Sequence, residues 1–197
     1  QNNIKSLNFF QNVKTSITDG KGLNSKVINF EIEEKATGEI QAGAGAGTEG
    51  GTFYFAVKEN NYLGKGLGVD ANATISAERF KGALNITNPN YKNSDKSTFI
   101  SLQAIEVDQL KNFGYKTTKT GFELGTGFEY FEDFNLALST STFVEKIETD
   151  STASVRQKAQ TGNYLDTFVK FNFDLDKRDQ KFKTSEGYRS IYNIQLP

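Results

Sequence analysis

From Gly38 onward one texture repeats: segments of roughly 8 to 11 residues in which apolar and polar side chains alternate, the length of a tilted strand crossing a bilayer. About nine such segments fit before the chain ends at Pro197. Successive side chains of a strand point to opposite faces, so each segment predicts one greasy face and one wet face. In the third, Leu67, Val69, Ala71, Ala73 and Ile75 share a side against Asp70, Asn72, Thr74 and Ser76. The fourth sets Phe80, Gly82, Leu84 and Ile86 against Lys81, Asn85 and Thr87, and the sixth sets Phe122, Leu124, Phe128 and Tyr130 against Glu123 and Glu129. In the eighth, Leu165, Val169, Phe171, Phe173 and Leu175 oppose Asp166, Lys170, Asn172, Asp174 and Asp176, and these charges are expected to face water.

The connections differ in kind. Phe131-Glu132-Asp133-Phe134 reads as a tight turn, whereas residues 148–162 form a long polar connection. Short turns at one end and longer loops at the other are the habit of transmembrane barrels, and the aromatics Tyr62, Tyr91, Phe113, Tyr115, Tyr130, Phe131 and Tyr164 near strand ends suggest interfacial girdles. A soluble up-and-down barrel, apolar inside, produces the same alternation. Ahead of Gly38 the pattern changes: Gln1 to about Leu7 reads as the end of a helix. Asn12 to Thr18 and Lys26 to Glu34 read as two strands around Asp19-Gly20-Lys21-Gly22, a small αββ unit too short for a complete domain.

Composition narrows the chemistry. The absence of Cys and His removes thiolate nucleophiles, disulfides, Cys/His zinc sites and the commonest general base. With 23 basic against 24 acidic side chains, the basic face of a nucleic-acid binder is missing. No run approaches the ~20 apolar residues of a membrane-spanning helix, and no basic, apolar, small-residue stretch in these 197 residues reads as a signal peptide. The mean hydropathy of -0.54 is compatible with strands whose lipid and lumen faces alternate. A start at Gln1 and an end in mid-pattern read most simply as a fragment.

Three motifs are weighed and set aside. Gly45-x-Gly47-x-x-Gly50 matches the dinucleotide fingerprint, but Thr52-Phe53-Tyr54-Phe55-Ala56-Val57 continues as a strand where a helix is required. Asp174-x-Asp176 with Asp179 hints at a calcium loop, yet Asp179 stands where glycine is needed and the bidentate Glu at the twelfth position is missing. Glu31 and Glu33 alternate along a short strand and mark its wet face. No catalytic residue, metal or cofactor is assigned, and an enzyme is not expected. The run Ala42-Gly43-Ala44-Gly45-Ala46-Gly47 has two readings. Its glycines weaken strand pairing by about 0.5 to 1 kcal/mol each, or they let a neighbouring element approach closely.

Taken in order, Leu7-Asn8-Phe9-Phe10-Gln11-Asn12-Val13-Lys14, Glu31-Ile32-Glu33-Glu34-Lys35-Ala36-Thr37-Gly38-Glu39 and the glycine strand through Gly47-Thr48-Glu49-Gly50-Gly51 resemble the junction of the last POTRA domain with the first barrel strand in the BamA family of outer-membrane protein assembly factors. Three further segments resemble successive periplasmic turns of that barrel. These are Asn60-Asn61-Tyr62-Leu63-Gly64-Lys65-Gly66, Thr87-Asn88-Pro89-Asn90-Tyr91, and Leu175-Asp176-Lys177-Arg178-Asp179 through Thr184-Ser185-Glu186-Gly187-Tyr188-Arg189.

The resemblance implies a mainly β fold: residues 1–36 as the end of an α+β POTRA domain, and residues 37–197 as the N-terminal half of an antiparallel, 16-stranded transmembrane β-barrel. It implies insertion and folding of β-barrel proteins in the bacterial outer membrane, with the N-terminal segment in the periplasm. Nascent outer-membrane proteins, accessory assembly lipoproteins and outer-membrane lipid are the implied partners, and nucleic acid is not. The first-strand positions Glu39, Ile40, Gln41, Ala42, Gly43, Ala44, Gly45, Ala46 and Gly47 are implied to form one edge of a lateral gate that templates substrate strands. A two-partner secretion or translocation-assembly barrel of the same superfamily shares this architecture. A passive porin would instead use Lys81, Glu123, Glu129 and Lys170 as a selectivity lining, and a soluble barrel would hold a small-molecule pocket.

Overall fold

The computed structural model describes residues 9–22, 25–47, 50–180 and 184–197; the helix expected over Gln1 to Leu7 lies outside them. The chain divides into two compact units between Gly38 and Glu39. The first contains an antiparallel hairpin of β1 (Phe10–Asp19) and β2 (Lys26–Glu34). Register pairs Val13 with Ile32, Thr15 with Phe30 and Ile17 with Ile28, which gathers an apolar face, while Lys14 and Glu31 meet on the other. Glu31 and Glu33 thus line the wet side of a hairpin, with Lys14 and Asn12 opposite them.

The second unit is one antiparallel sheet of nine strands in chain order: β3 (Gly38–Gly47), β4 (Gly50–Tyr62), β5 (Leu67–Ser76), β6 (Arg79–Asn88), β7 (Lys96–Gln109), β8 (Tyr115–Phe131), β9 (Phe134–Thr149), β10 (Gly162–Asp176) and β11 (Arg189–Leu196). The meander has the nine strands expected. Among the described residues β3 and β11 each have one neighbouring strand, and a closed barrel would give every strand two. Strands β7 to β10 also exceed the expected lengths, reaching 14 to 17 residues, because their hairpins continue past the apolar stretch into polar ladder.

Register converts the alternation of single strands into faces of the whole sheet. One row runs Val69, Ile86, Ile100, Leu124, Thr140, Val169, Leu196 across seven strands. The next runs Val57, Ala71, Leu84, Leu102, Phe122, Thr142, Thr167. Offset by one residue, Lys58, Asp70, Asn85, Ser101, Glu123 and Ser141 form a polar row on the opposite face.

Exposure then says which face the sheet wraps around. On the apolar side Val144 is 53% exposed and Leu165 69%, while on the polar side Ser141 is fully buried and Glu123, Asp166 and Lys170 are half-buried. Charges better covered than leucines are the reverse of a water-soluble core. The sheet curves with its polar face concave and its apolar face convex, so the charges of β10 are shielded inside the curve.

The polar face carries large residues as well: Phe99, Phe143 and Phe168 share it. Two of these rings lie over glycines of β8, Phe143 over Gly121 and Phe99 over Gly125. A Cβ at Gly121 would collide with the Thr142 carbonyl oxygen and the Phe143 backbone, whereas one at Gly125 would meet mainly the movable Phe99 ring. Gly121→Ala is therefore expected to cost about 1 to 3 kcal/mol in denaturant unfolding of the full-length protein. Gly125→Ala should cost less, and equal costs would show that the Phe99 ring does not move aside.

Candidate functional site

The convex apolar band has definable limits. On β10 it runs from Leu165 to Leu175, ten steps that at about 3.3 Å each and a tilt near 40° span about 25 Å, the height of an outer-membrane apolar band. At the end where β4 meets β5, β6 meets β7 and β8 meets β9, the band finishes in aromatics. Phe131 stacks on Phe134 with ring centres 4.6 Å apart, Phe134 lies 6.4 Å from Phe173, and Phe173 lies 6.3 Å from Tyr192. A register shift between Glu129 and Phe131 sets Phe131 opposite Phe134, so Phe131 takes the place in the row expected for Tyr130.

Just beyond that ladder the turns are tied by charge. Arg178 grips Asp176 with two bonds of 2.7 and 2.8 Å, Arg189 grips Asp174 with bonds of 2.8 and 2.6 Å, and Lys177 donates to Asp133 at 3.0 Å. The Asp174-x-Asp176 pair is thus engaged by guanidinium groups, and no group of metal-ligating side chains gathers among the described residues. Asp179 accepts backbone N–H bonds from Glu186 and Ser185, which hold its carboxyl below the usual range. On the concave face Glu123 accepts from Ser139 at 2.7 Å and from Lys170 at 2.8 Å. Two of the four charges proposed as a pore lining therefore neutralise each other.

The predicted gate residues, Glu39 to Gly47, all lie in β3. This strand is hydrogen-bonded to β4 on one side and has no strand on the other among the described residues. All ten of its residues are exposed, Ile40 to 72%. Alternation puts Glu39, Gln41, Gly43, Gly45 and Gly47 on one face, where the Gln41 amide donates to Glu39 at 2.7 Å, and Ile40, Ala42, Ala44 and Ala46 on the other. A Cβ added at Gly43, Gly45 or Gly47 would meet nothing within 4 Å. Among the described residues nothing packs against these glycines, in contrast to Gly121 and Gly125. What the arrangement offers is a ten-residue edge whose alternate residues turn both backbone groups outward, about ten groups free to pair with another strand.

Comparison with known proteins bears on the sheet as a whole. The Omp85 superfamily domain matches residues 61–196. Among solved structures, the crystal structure of BamA from Haemophilus ducreyi lacking POTRA domains 1-3 is similar in fold, with a TM-score of 0.73 at 19% sequence identity over 100% of this chain. The chain spans 41% of that structure's length.

Proposed function

This chain belongs to the Omp85 superfamily, and from that premise we propose that it forms the first strands of an outer-membrane barrel that inserts and folds other β-barrel proteins. In this reading the convex band faces lipid, the concave face lines an aqueous lumen, and the β1–β2 hairpin is the end of a periplasmic POTRA domain. The turns joining β4 to β5, β6 to β7, β8 to β9 and β10 to β11 then lie at the periplasmic side. The role is non-catalytic; nascent outer-membrane proteins are the substrates and accessory assembly lipoproteins the helpers.

The observation that carries the proposal is the state of β3, an exposed edge with empty space around its glycines. An incoming strand adds to such an edge through main-chain hydrogen bonds, which give affinity without demanding a sequence. Each exchanged bond is worth only about 0.5 to 1.5 kcal/mol net, whereas a backbone group left unsatisfied in hydrocarbon costs several. A seam that swaps one partner strand for another avoids the larger penalty and needs only the smaller.

Cysteine capture tests this directly. With Ala44→Cys in the full-length protein, client proteins bearing single cysteines along a strand should be trapped at alternate positions during assembly. A cysteine at Asn85, in an interior strand paired on both sides, should trap none. Equal capture at both sites would end the gate reading.

A further inference from the structure

Two glycines in the middle of the sheet are covered by aromatic rings from the strands beside them. On the concave face of β8, Gly121 stands directly opposite Phe143 of β9, and Gly125 directly opposite Phe99 of β7. Each ring lies across its glycine, so that a Cβ on either would collide with it. Opposite Gly127 stand Ser97 and Ala137, neither of which has a ring; there the Ser97 hydroxyl donates to the Gly127 carbonyl at 3.1 Å. The physical reason is local. A glycine in a strand has no side chain with which to pack against its neighbours, and its pairing is weaker for it. A ring laid over it from the next strand restores the missing contact, an aromatic rescue of the glycine.

Gly43, Gly45 and Gly47 present the same bare backbone. They share a face of β3 with Glu39 and Gln41, which marks it as the polar face, the concave one in the rest of the sheet. Among the described residues β4 lays no ring over them, since no atom lies within 4 Å of a Cβ on any of the three. The other side of β3 is the edge at which the proposed client strand pairs.

We infer that this edge selects client strands by their aromatic side chains: a ring on the lumen-facing side of the incoming strand, directly opposite Gly43 or Gly45, lies across that glycine as Phe143 and Phe99 lie across Gly121 and Gly125. The inference rests on the edge-pairing reading above and adds to it what the edge prefers. Main-chain bonds give affinity without regard to sequence. The glycines add a preference for phenylalanine, tyrosine or tryptophan at alternate positions of the client strand, because a flat ring covers a bare peptide that a branched aliphatic chain leaves open. A cross-strand pair of this kind is worth up to about fivefold in pairing.

The experiment uses the full-length protein carrying Ala44→Cys in phosphatidylcholine vesicles, and two synthetic strands of the length of β3 that differ only at their centre, Phe-Cys-Phe in one and Leu-Cys-Leu in the other. A disulfide at position 44 fixes the register, so the residues flanking the cysteine fall opposite Gly43 and Gly45 on the other face. In competition the phenylalanine strand should be captured several-fold more than the leucine strand, up to about fivefold per ring, with one-ring strands between the two. Adding G43A/G45A should bring the strands to parity while capture of the leucine strand is unchanged. Adding G47A, at a glycine opposite neither ring, should keep the preference. Parity with all three glycines in place, or a preference surviving in G43A/G45A, overturns the aromatic selection. Capture of neither strand above the level of an Asn85→Cys control overturns the edge-pairing reading instead.

Discussion

Arginine in place of Leu124 destabilises the full-length protein in lipid vesicles by about 2 to 4 kcal/mol, the cost of a charge near the bilayer midplane on a barrel's lipid face. Leu124 sits in the middle of the convex row between Ile100 and Thr140, and is 42% exposed with nothing polar set against it in that row but the threonine. The same arginine at Ser101, directly opposite Glu123 on the concave face, should cost no more than about 1 kcal/mol, because there it meets water and a carboxylate. Unfolding followed by circular dichroism across a urea series measures both. The contrast is the point: Ser101 is less exposed than Leu124, so a soluble-protein logic ranks the two in the other order. Equal costs, or a costlier change at Ser101, would turn the sheet inside out and remove the outer-membrane role with it.

The second large effect is kinetic. Gly43→Val with Gly45→Val replaces two weak strand residues by β-branched ones, strengthening the pairing of β3 by about 1 to 2 kcal/mol in all. That lowers the open fraction of the seam by roughly 5- to 30-fold. Among the described residues no atom stands within 4 Å of a Cβ at either position. Client insertion in reconstituted liposomes should slow by about tenfold, with alanine at the same positions intermediate and client binding unaltered. Insertion at the wild-type rate with valine at both positions would show that opening at β3 does not limit assembly.

Much of this was legible in the chain alone. Period-two alternation gave nine strands and the composition of each face, because a strand's side chains have no other periodicity available. The tight turn at Glu132-Asp133 and the hairpin ahead of Gly38 were equally plain, since glycine, aspartate and asparagine clusters have few other uses between strands. Where a local rule fails, the reason is local too. Tyr130 alternates correctly in sequence, yet the register shift beside it hands its place to Phe131.

What alternation could not decide is which face is outside. A lipocalin-like barrel and a membrane barrel have the same period, and only curvature, read from a buried Ser141 beside an exposed Val144, separates them. Nor could residue type assign the glycines. Gly121 and Gly125 lie under phenylalanine rings on a polar face whose aromatics no binary pattern predicts, while Gly43 and Gly45 stand in open space on an edge. A glycine has no side chain to declare its purpose, so its meaning comes from whatever stands across from it. That neighbour is set by strand order, register and sheet edge, which belong to the folded sheet and not to any single segment.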